Sequence, residues 1–329
     1  LIITETPHRI SLFGGGTDYE DFYRQHGSLL IGFALDKYIY VCCRALEQFT
    51  DHKIQLHYSI VEKVYHREQI KHPVVKAVLE YLGYDQRLHM SIIQADIPAR
   101  TGMGSSSTFT IGLLNAICHL QGRRTTKKIL TNNAITIERK LLKEPGGIQD
   151  QIWAAYGGIN SITINEDGKF RVRPLNISQE FIQEFCASCL LLYTGKREDG
   201  FDVAASYNNE QSYKWKKELK DIASEALVAF HKEDIDQIAF LLRASWQMKK
   251  QISPQISNRE IDLLCHELKK YGARGWKLLG SGKSGFIFCI VHPWDQKRLI
   301  EHMKMPWLPI GVDYFGSRVI FDTTGLDKS

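Results

Sequence analysis

The sequence predicts an α+β protein in two domains, and three observations carry the prediction. The chain has 329 residues, enough for two hydrophobic cores. Strand-favouring and helix-favouring stretches are mixed through its first half. Within that half, Leu88, Met90 and Ile92 alternate with polar residues and lead into the run Pro98 to Ser107 (PARTGMGSSS). Beyond it Phe109, Leu113, Leu114, Ile117 and Leu120 recur at helical spacing up to Gly122. A strand that feeds a glycine- and serine-rich loop and then a helix presents unpaired N–H groups at the positive end of that helix, which is a setting for phosphate.

Composition narrows the classes. With 43% hydrophobic and 24% charged residues the chain is an ordinary folded protein. Its formal net charge of +5 is spread along the sequence; that is too mild for nucleic acid and suits an anionic small molecule. Seven cysteines, among them the adjacent Cys42 and Cys43, read as buried thiols of a reducing compartment. Cys186 and Cys189 form a lone C-x-x-C before the apolar run Leu190 to Tyr193, a pattern that fits a buried strand better than zinc. No apolar run approaches the roughly 20 residues of a membrane span, and the first residues lack a signal pattern. The expectation is a cytoplasmic protein without nucleic-acid or membrane partners.

In chain order, a strand ending at Phe13 runs into Gly14, Gly15 and Gly16 and then Thr17 and Asp18. Asp18 reads either as a rigid acceptor for sugar hydroxyls or as the cap of a helix from Tyr19 to Gln25. The spacing does not give G-x-G-x-x-G, so a dinucleotide site fits poorly. Lys37 to Ala45 and Lys53 to Tyr58 are β-favouring. Glu68 to Leu82 has helical spacing, with Pro73 in its first turn or delaying its start. After Gly122 a helical stripe of Leu130, Ala134, Ile137 and Leu141 carries Glu138 at its border. Gly146 and Gly147 open a short helix to Tyr156, with Asp150 in its first turn, where the helix dipole favours a carboxylate.

Ile159 to Ile164 and Phe170 to Pro174 read as a hairpin, and the domain boundary is set at 1–175 and 176–329. Cys189 to Tyr193 is a strand, followed by Lys196 and Arg197, which could grip a phosphate or be solvated loop charges. Phe201 to Lys250 is helical and charge-rich. Ser257 to Glu260 reads as a capping box for a helix ending at Tyr271. Gly280 to Gly285 contains Gly282-Lys283-Ser284 but lacks the spacing and the following helix of a P-loop, so it is a glycine hairpin before the strand Phe286 to Val291. A last strand spans Arg318 to Asp322.

Four of these segments, in this order, resemble the GHMP sugar and metabolite kinases over nearly the whole chain. They are Pro7 to Asp18, Pro98 to Ser107, Gly147 to Gln151 and Gly280 to Phe286. The resemblance implies a ribosomal protein S5 domain 2-like N-terminal domain, a ferredoxin-like C-terminal domain and an active site in the cleft between them. It implies ATP held by Arg100, Thr101, Gly102, Met103, Gly104, Ser105, Ser106 and Ser107, and Mg²⁺ ligated by Ser106 and Glu138. Asp150 would accept or orient the hydroxyl proton, with Arg9 against the γ-phosphate. Gly16, Thr17, Asp18 and Gly282 would face the sugar, with Lys196 and Arg197 as candidates for a phosphate already on it.

The G-G-G-T-D and G-I-Q-D-Q forms are most similar to the branch that phosphorylates the anomeric hydroxyl of D-glycero-D-manno-heptose 7-phosphate, in nucleotide-heptose synthesis. The alternatives are another monosaccharide 1-kinase, fucokinase- or galactokinase-like, and a silent sugar- and ATP-binding sensor. Lys283 and Ser284 replace glycines usual in the third motif, and Arg100 and Thr101 replace smaller residues in the second.

Overall fold

The computed structural model describes residues 1–195, 201–207 and 210–324. The chain opens with β1 (Ile2–Phe13), α1 (Glu20–His26) and β2 (Ser28–Ala45). A hairpin of β3 (Ile54–His57) and β4 (Val61–Val64) leads to α2 (Pro73–Tyr81), β5 (Leu88–Ala95), α3 (Ser105–Leu120), α4 (Lys127–Ile135) and α5 (Gln149–Tyr156). The hairpin β6 (Ile159–Ile164) and β7 (Phe170–Pro174) follows. Next come α6 (Gln179–Ala187), β8 (Cys189–Tyr193), α7 (Phe201–Ala205), α8 (Tyr213–His231), α9 (Ile235–Ile252), α10 (Arg259–Lys270), β9 (Ala273–Leu278), β10 (Phe286–Val291), α11 (Pro293–Met303), β11 (Trp307–Pro309) and β12 (Arg318–Asp322).

Among the described residues the strands form an eight-stranded sheet, ordered β12-β1-β2-β5-β3-β4 with β6 also paired to β2 and β7 to β6, and a four-stranded sheet, ordered β11-β8-β10-β9. The length of β2 explains the branch: residues 28–33 pair with β6 and residues 39–45 pair with β5. Pro7 has no N–H for the ladder, and the register of β1 against β2 shifts between Pro7 and His8. Arg9 stands next to that irregularity. A core joins the two sheets, with Ile10, Phe13 and Phe33 of the first against Phe185, Phe230, Leu242 and Phe288. The final strand, β12, returns from the second half to pair antiparallel with β1.

Several expectations shift in detail. The helix expected from Glu68 begins at Pro73, whose missing N–H is tolerated at the first helical position, after a 3₁₀ turn at Arg67–Gln69. The cap of α10 is Asn258, whose Oδ1 accepts from the Ile261 N–H at 3.0 Å; Ser257 instead donates to Asp262, so no capping box forms. The helical stripe around Glu138 is α4 continued by a π-helical segment, Thr136–Leu141. The seven cysteines are all free, and burial pushes Cys186 up to about 11. No helix among the described residues is long and apolar enough to cross a membrane.

Candidate active site

A cleft of about 710 Å³ is lined from both halves of the chain. Its floor is the loop into α3. Gly104 caps that helix in a left-handed conformation (φ 74°) and makes no side-chain cap bond, so the first-turn N–H groups are left to the cleft. A Cβ there would stand 3.2 Å from Asp150 Oδ2 and 3.3 Å from Arg9 Cγ, which is why the loop can press against both. Arg100, Gly102, Gly104, Ser105, Ser106 and Ser107 line the cleft. Thr101 lines the cleft as well, but its side chain is buried and donates to the Pro98 carbonyl at 2.8 Å, and the Met103 side chain packs in the core between the sheets. Those two residues can offer a ligand only their backbone.

Arg9 and Asp150, 141 positions apart, form a two-point ion pair: Nε to Oδ1 at 2.7 Å and Nη2 to Oδ2 at 2.8 Å. The remaining Arg9 nitrogen, Nη1, donates to the Gly102 carbonyl at 2.7 Å. One guanidinium therefore fixes the carboxylate in the first turn of α5 relative to the loop.

Asp18 does not cap α1. The N-cap of α1 is Tyr19, and the Asp18 carboxylate turns into the cleft, accepting from the Gly16 N–H (3.0 Å), the Gln149 N–H (3.1 Å) and Gln149 Nε2 (3.1 Å). Burial, followed by the neighbouring Asp150 charge, raises its pKa. Thr17 departs from expectation. It is fully buried, and its hydroxyl donates to the Gly14 carbonyl at 2.7 Å and lies 2.6 Å from Ser28 Oγ, so it braces the glycine turn and does not face the cleft.

Glu138, on the π-helical segment, is fully buried. Its Oε2 accepts from Ser107 Oγ (2.8 Å) and Gln151 Nε2 (2.5 Å), with Arg139 at 3.4 Å, while Oε1 has no hydrogen-bond partner among the described residues. Burial raises its pKa. The serine bonded to Glu138 is Ser107; Ser106, the expected Mg²⁺ ligand, lies exposed beside it, and both it and Glu138 line the cleft. A carboxylate with one unpartnered oxygen, bonded through the other to the Ser107 hydroxyl, is the kind of hard-oxygen donor set that Mg²⁺ uses while keeping most of its waters, so these residues fit that ion.

Sequence reasoning missed two lysines. Lys249 of α9 and Lys277 of β9 are buried and line the cleft. Lys277 donates to the Ser11 and Leu12 carbonyls (3.1 and 2.7 Å), and Lys249 donates to the Gly280 carbonyl. The signal was available for Lys249: it sits on the same helical face as Leu242, Ser245, Trp246 and Ile252, a buried stripe where a lysine is out of place. Tyr207 was missed too; it stacks on Tyr19 (centroids 5.2 Å apart) and donates to the Ser281 carbonyl at 2.9 Å. Gly282 and Ser284 line the cleft, and the Lys283 N–H is taken by the Ile256 carbonyl at 3.0 Å. Lys196 and Arg197 lie outside the described residues.

Residues 68–158 match the GHMP kinases N terminal domain and residues 226–305 match the GHMP kinases C terminal family. Both matched segments contribute to the lining of the cleft, and the chain belongs to the GHMP kinases, enzymes of phosphoryl transfer that take ATP as donor. Among individual relatives it is 26% identical over 315 residues to a D-glycero-alpha-D-manno-heptose 7-phosphate kinase of Campylobacter jejuni, covering 92% of this chain and 93% of that one. It is 22% identical to a galactokinase of Pyrococcus furiosus, over 88% and 89%. Its fold matches a D-glycero-D-manno-heptose 1-phosphate kinase structure from Bacteroides thetaiotaomicron with a TM-score of 0.82 at 21% identity, covering 98% of this chain and all of that one.

Proposed function

We propose that this protein is an ATP- and Mg²⁺-dependent sugar kinase that moves the γ-phosphate to the anomeric hydroxyl of D-glycero-D-manno-heptose 7-phosphate, giving the 1,7-bisphosphate. The observation that carries the reading is the Arg9 bridge, which holds the Asp150 carboxylate at the mouth of a loop built for phosphates. Phosphoryl transfer asks for placement and charge neutralisation more than covalent help. In this reading the N–H groups of Gly102 to Ser107 hold the nucleotide phosphates. The base lies toward the apolar end of the cleft formed by Ile39, His72, Pro73 and Phe109. Asp150 takes or orients the acceptor proton, and Asp18, fixed by Gln149, accepts from sugar hydroxyls. Mg²⁺, held by Glu138 with a loop serine, would neutralise phosphate charge.

The heptose 7-phosphate choice rests on the glycine-rich first motif, on the G-I-Q-D-Q segment and on the Campylobacter relative, which matches over 92% of this chain and 93% of its own. The test is ADP release from ATP with heptose 7-phosphate, galactose, fucose and mevalonate in parallel. Turnover confined to the phosphorylated heptose supports the reading. Turnover of a free hexose moves the chain to the monosaccharide 1-kinases, which the galactokinase similarity favours. ATP binding with no ADP from any acceptor would make it a silent sensor.

A further inference from the structure

Lys249 reaches the cleft from the last turn of α9, in the second half of the chain. The residue is 4% exposed. A buried ammonium has three donors to satisfy, and among the described residues a single hydrogen bond, to the Gly280 carbonyl, is made. No carboxylate among the described residues pairs with it directly. The charged groups around it come from four other parts of the fold: Arg9 on β1, Asp18 in the glycine turn, Asp150 on α5 and Lys277 on β9. Lys277 differs in kind, because two main-chain carbonyls already hold it beneath the glycine turn. Lys249 is the cation with donors to spare, close enough to Arg9, Asp18 and Asp150 to feel the charge of each.

We infer that Lys249 is a catalytic residue of the acceptor side, its ammonium donating to the acceptor sugar oxygen and to an oxygen of the phosphoryl group in transit. The inference rests on the kinase reading above and adds a cation to it. In the step, the bond from acceptor oxygen to γ-phosphorus forms as the bond from that phosphorus to the β-phosphate oxygen breaks. The electron pair of the broken bond stays on the β-phosphate oxygen, and the hydroxyl proton goes to the Asp150 carboxylate. Lys249 keeps its proton throughout and, together with Arg9, offsets charge at the transfer point. An ammonium is needed, so the step is lost once Lys249 deprotonates. Burial, and next the Arg9 charge, bring its pKa down to about 7 in the absence of substrate, against the opposing pull of Asp18 and Asp150.

The test compares wild type with Lys249→Met and Lys249→Arg, with ATP and the acceptor that the wild type turns over. Wild-type kcat/KM for the acceptor should fall as pH rises above about 7, the direction expected when a required cation discharges. Lys249→Met should lose about a hundredfold in kcat, keep nucleotide affinity within about threefold and lose the alkaline limb from its residual activity. Lys249→Arg, charged at every working pH, should move the limb upward. A Met variant with kcat within about threefold of wild type, or a limb that persists in it, overturns the inference. If the Met variant does not fold, an Arg variant whose limb stays in place does the same. Failure of the wild type on every acceptor would strike the kinase reading instead, so the two failures are distinct.

Discussion

Gly280 and Gly102 meet backbone to backbone: a Cβ at Gly280 would stand 2.4 Å from the Gly102 Cα, and one at Gly102 would stand 2.6 Å from the Leu279 carbonyl oxygen. The third motif is therefore a brace for the phosphate loop as well as a wall of the cleft. Gly280 also has φ 73°, which L side chains rarely adopt. Gly280→Ala should cost about 2 kcal/mol or more of stability and weaken nucleotide binding. Urea unfolding and nucleotide titration check this, and an alanine variant with wild-type values for both would remove the bracing role.

Asp150→Asn keeps the shape of the side chain and removes the charge that Arg9 grips. Turnover should drop by about a hundredfold or more while nucleotide binding survives. Steady-state kinetics beside a nucleotide titration separate the two, and unchanged turnover would take Asp150 out of the chemistry.

Asp18→Ala removes the acceptor that Gln149 holds toward the cleft. The effect should fall mainly on KM for the sugar, with a smaller change in KM for ATP. A sugar KM equal to that of wild type would refute the assignment.

His8 is buried beneath the phosphate loop, with Nδ1 3.4 Å from the Met103 carbonyl and Nε2 unpartnered among the described residues. Burial first, then the Arg9 charge, push its pKa down to about 4. Below the ordinary histidine value of about 6.5 the unfolded chain binds a proton that the native one refuses, so stability is lost as pH falls from about 6.5 toward 4. Relative to His8→Asn, the wild type should lose up to about 3 kcal/mol over that interval. Denaturant midpoints at three pH values test it; parallel pH dependences in the two proteins would contradict the assignment.

Most of the cleft was legible because its parts sit in short, chemically odd stretches. Three glycines followed by Thr17 and Asp18, the serine run after Gly104 and the carboxylate at the start of α5 all announce themselves locally. What could not be read was reach. Nothing local distinguishes Thr17, which turns to Ser28, from Asp18, which is equally buried but turns to Gln149 at the cleft. That Glu138 also bonds Ser107 depends on the π-helical register of residues 136–141, which no apolar spacing reports. Lys249 and Tyr207 enter from segments that read as plain helix, and their role depends on how α9 and the residues after α7 meet the glycine hairpin. At Lys249 the stripe itself carried a warning in the form of a charged residue among apolar ones.

The pairing of β12 with β1 joins residues 318–322 to residues 2–5. During synthesis the outer edge of β1 therefore stays bare until nearly the whole described chain has left the ribosome, and the strand bearing Arg9 gains its last neighbour only then. The first sheet is finished late although most of it is made early, so a nascent chain halted short of residue 318 would carry a sticky strand margin open to chaperones or to other chains.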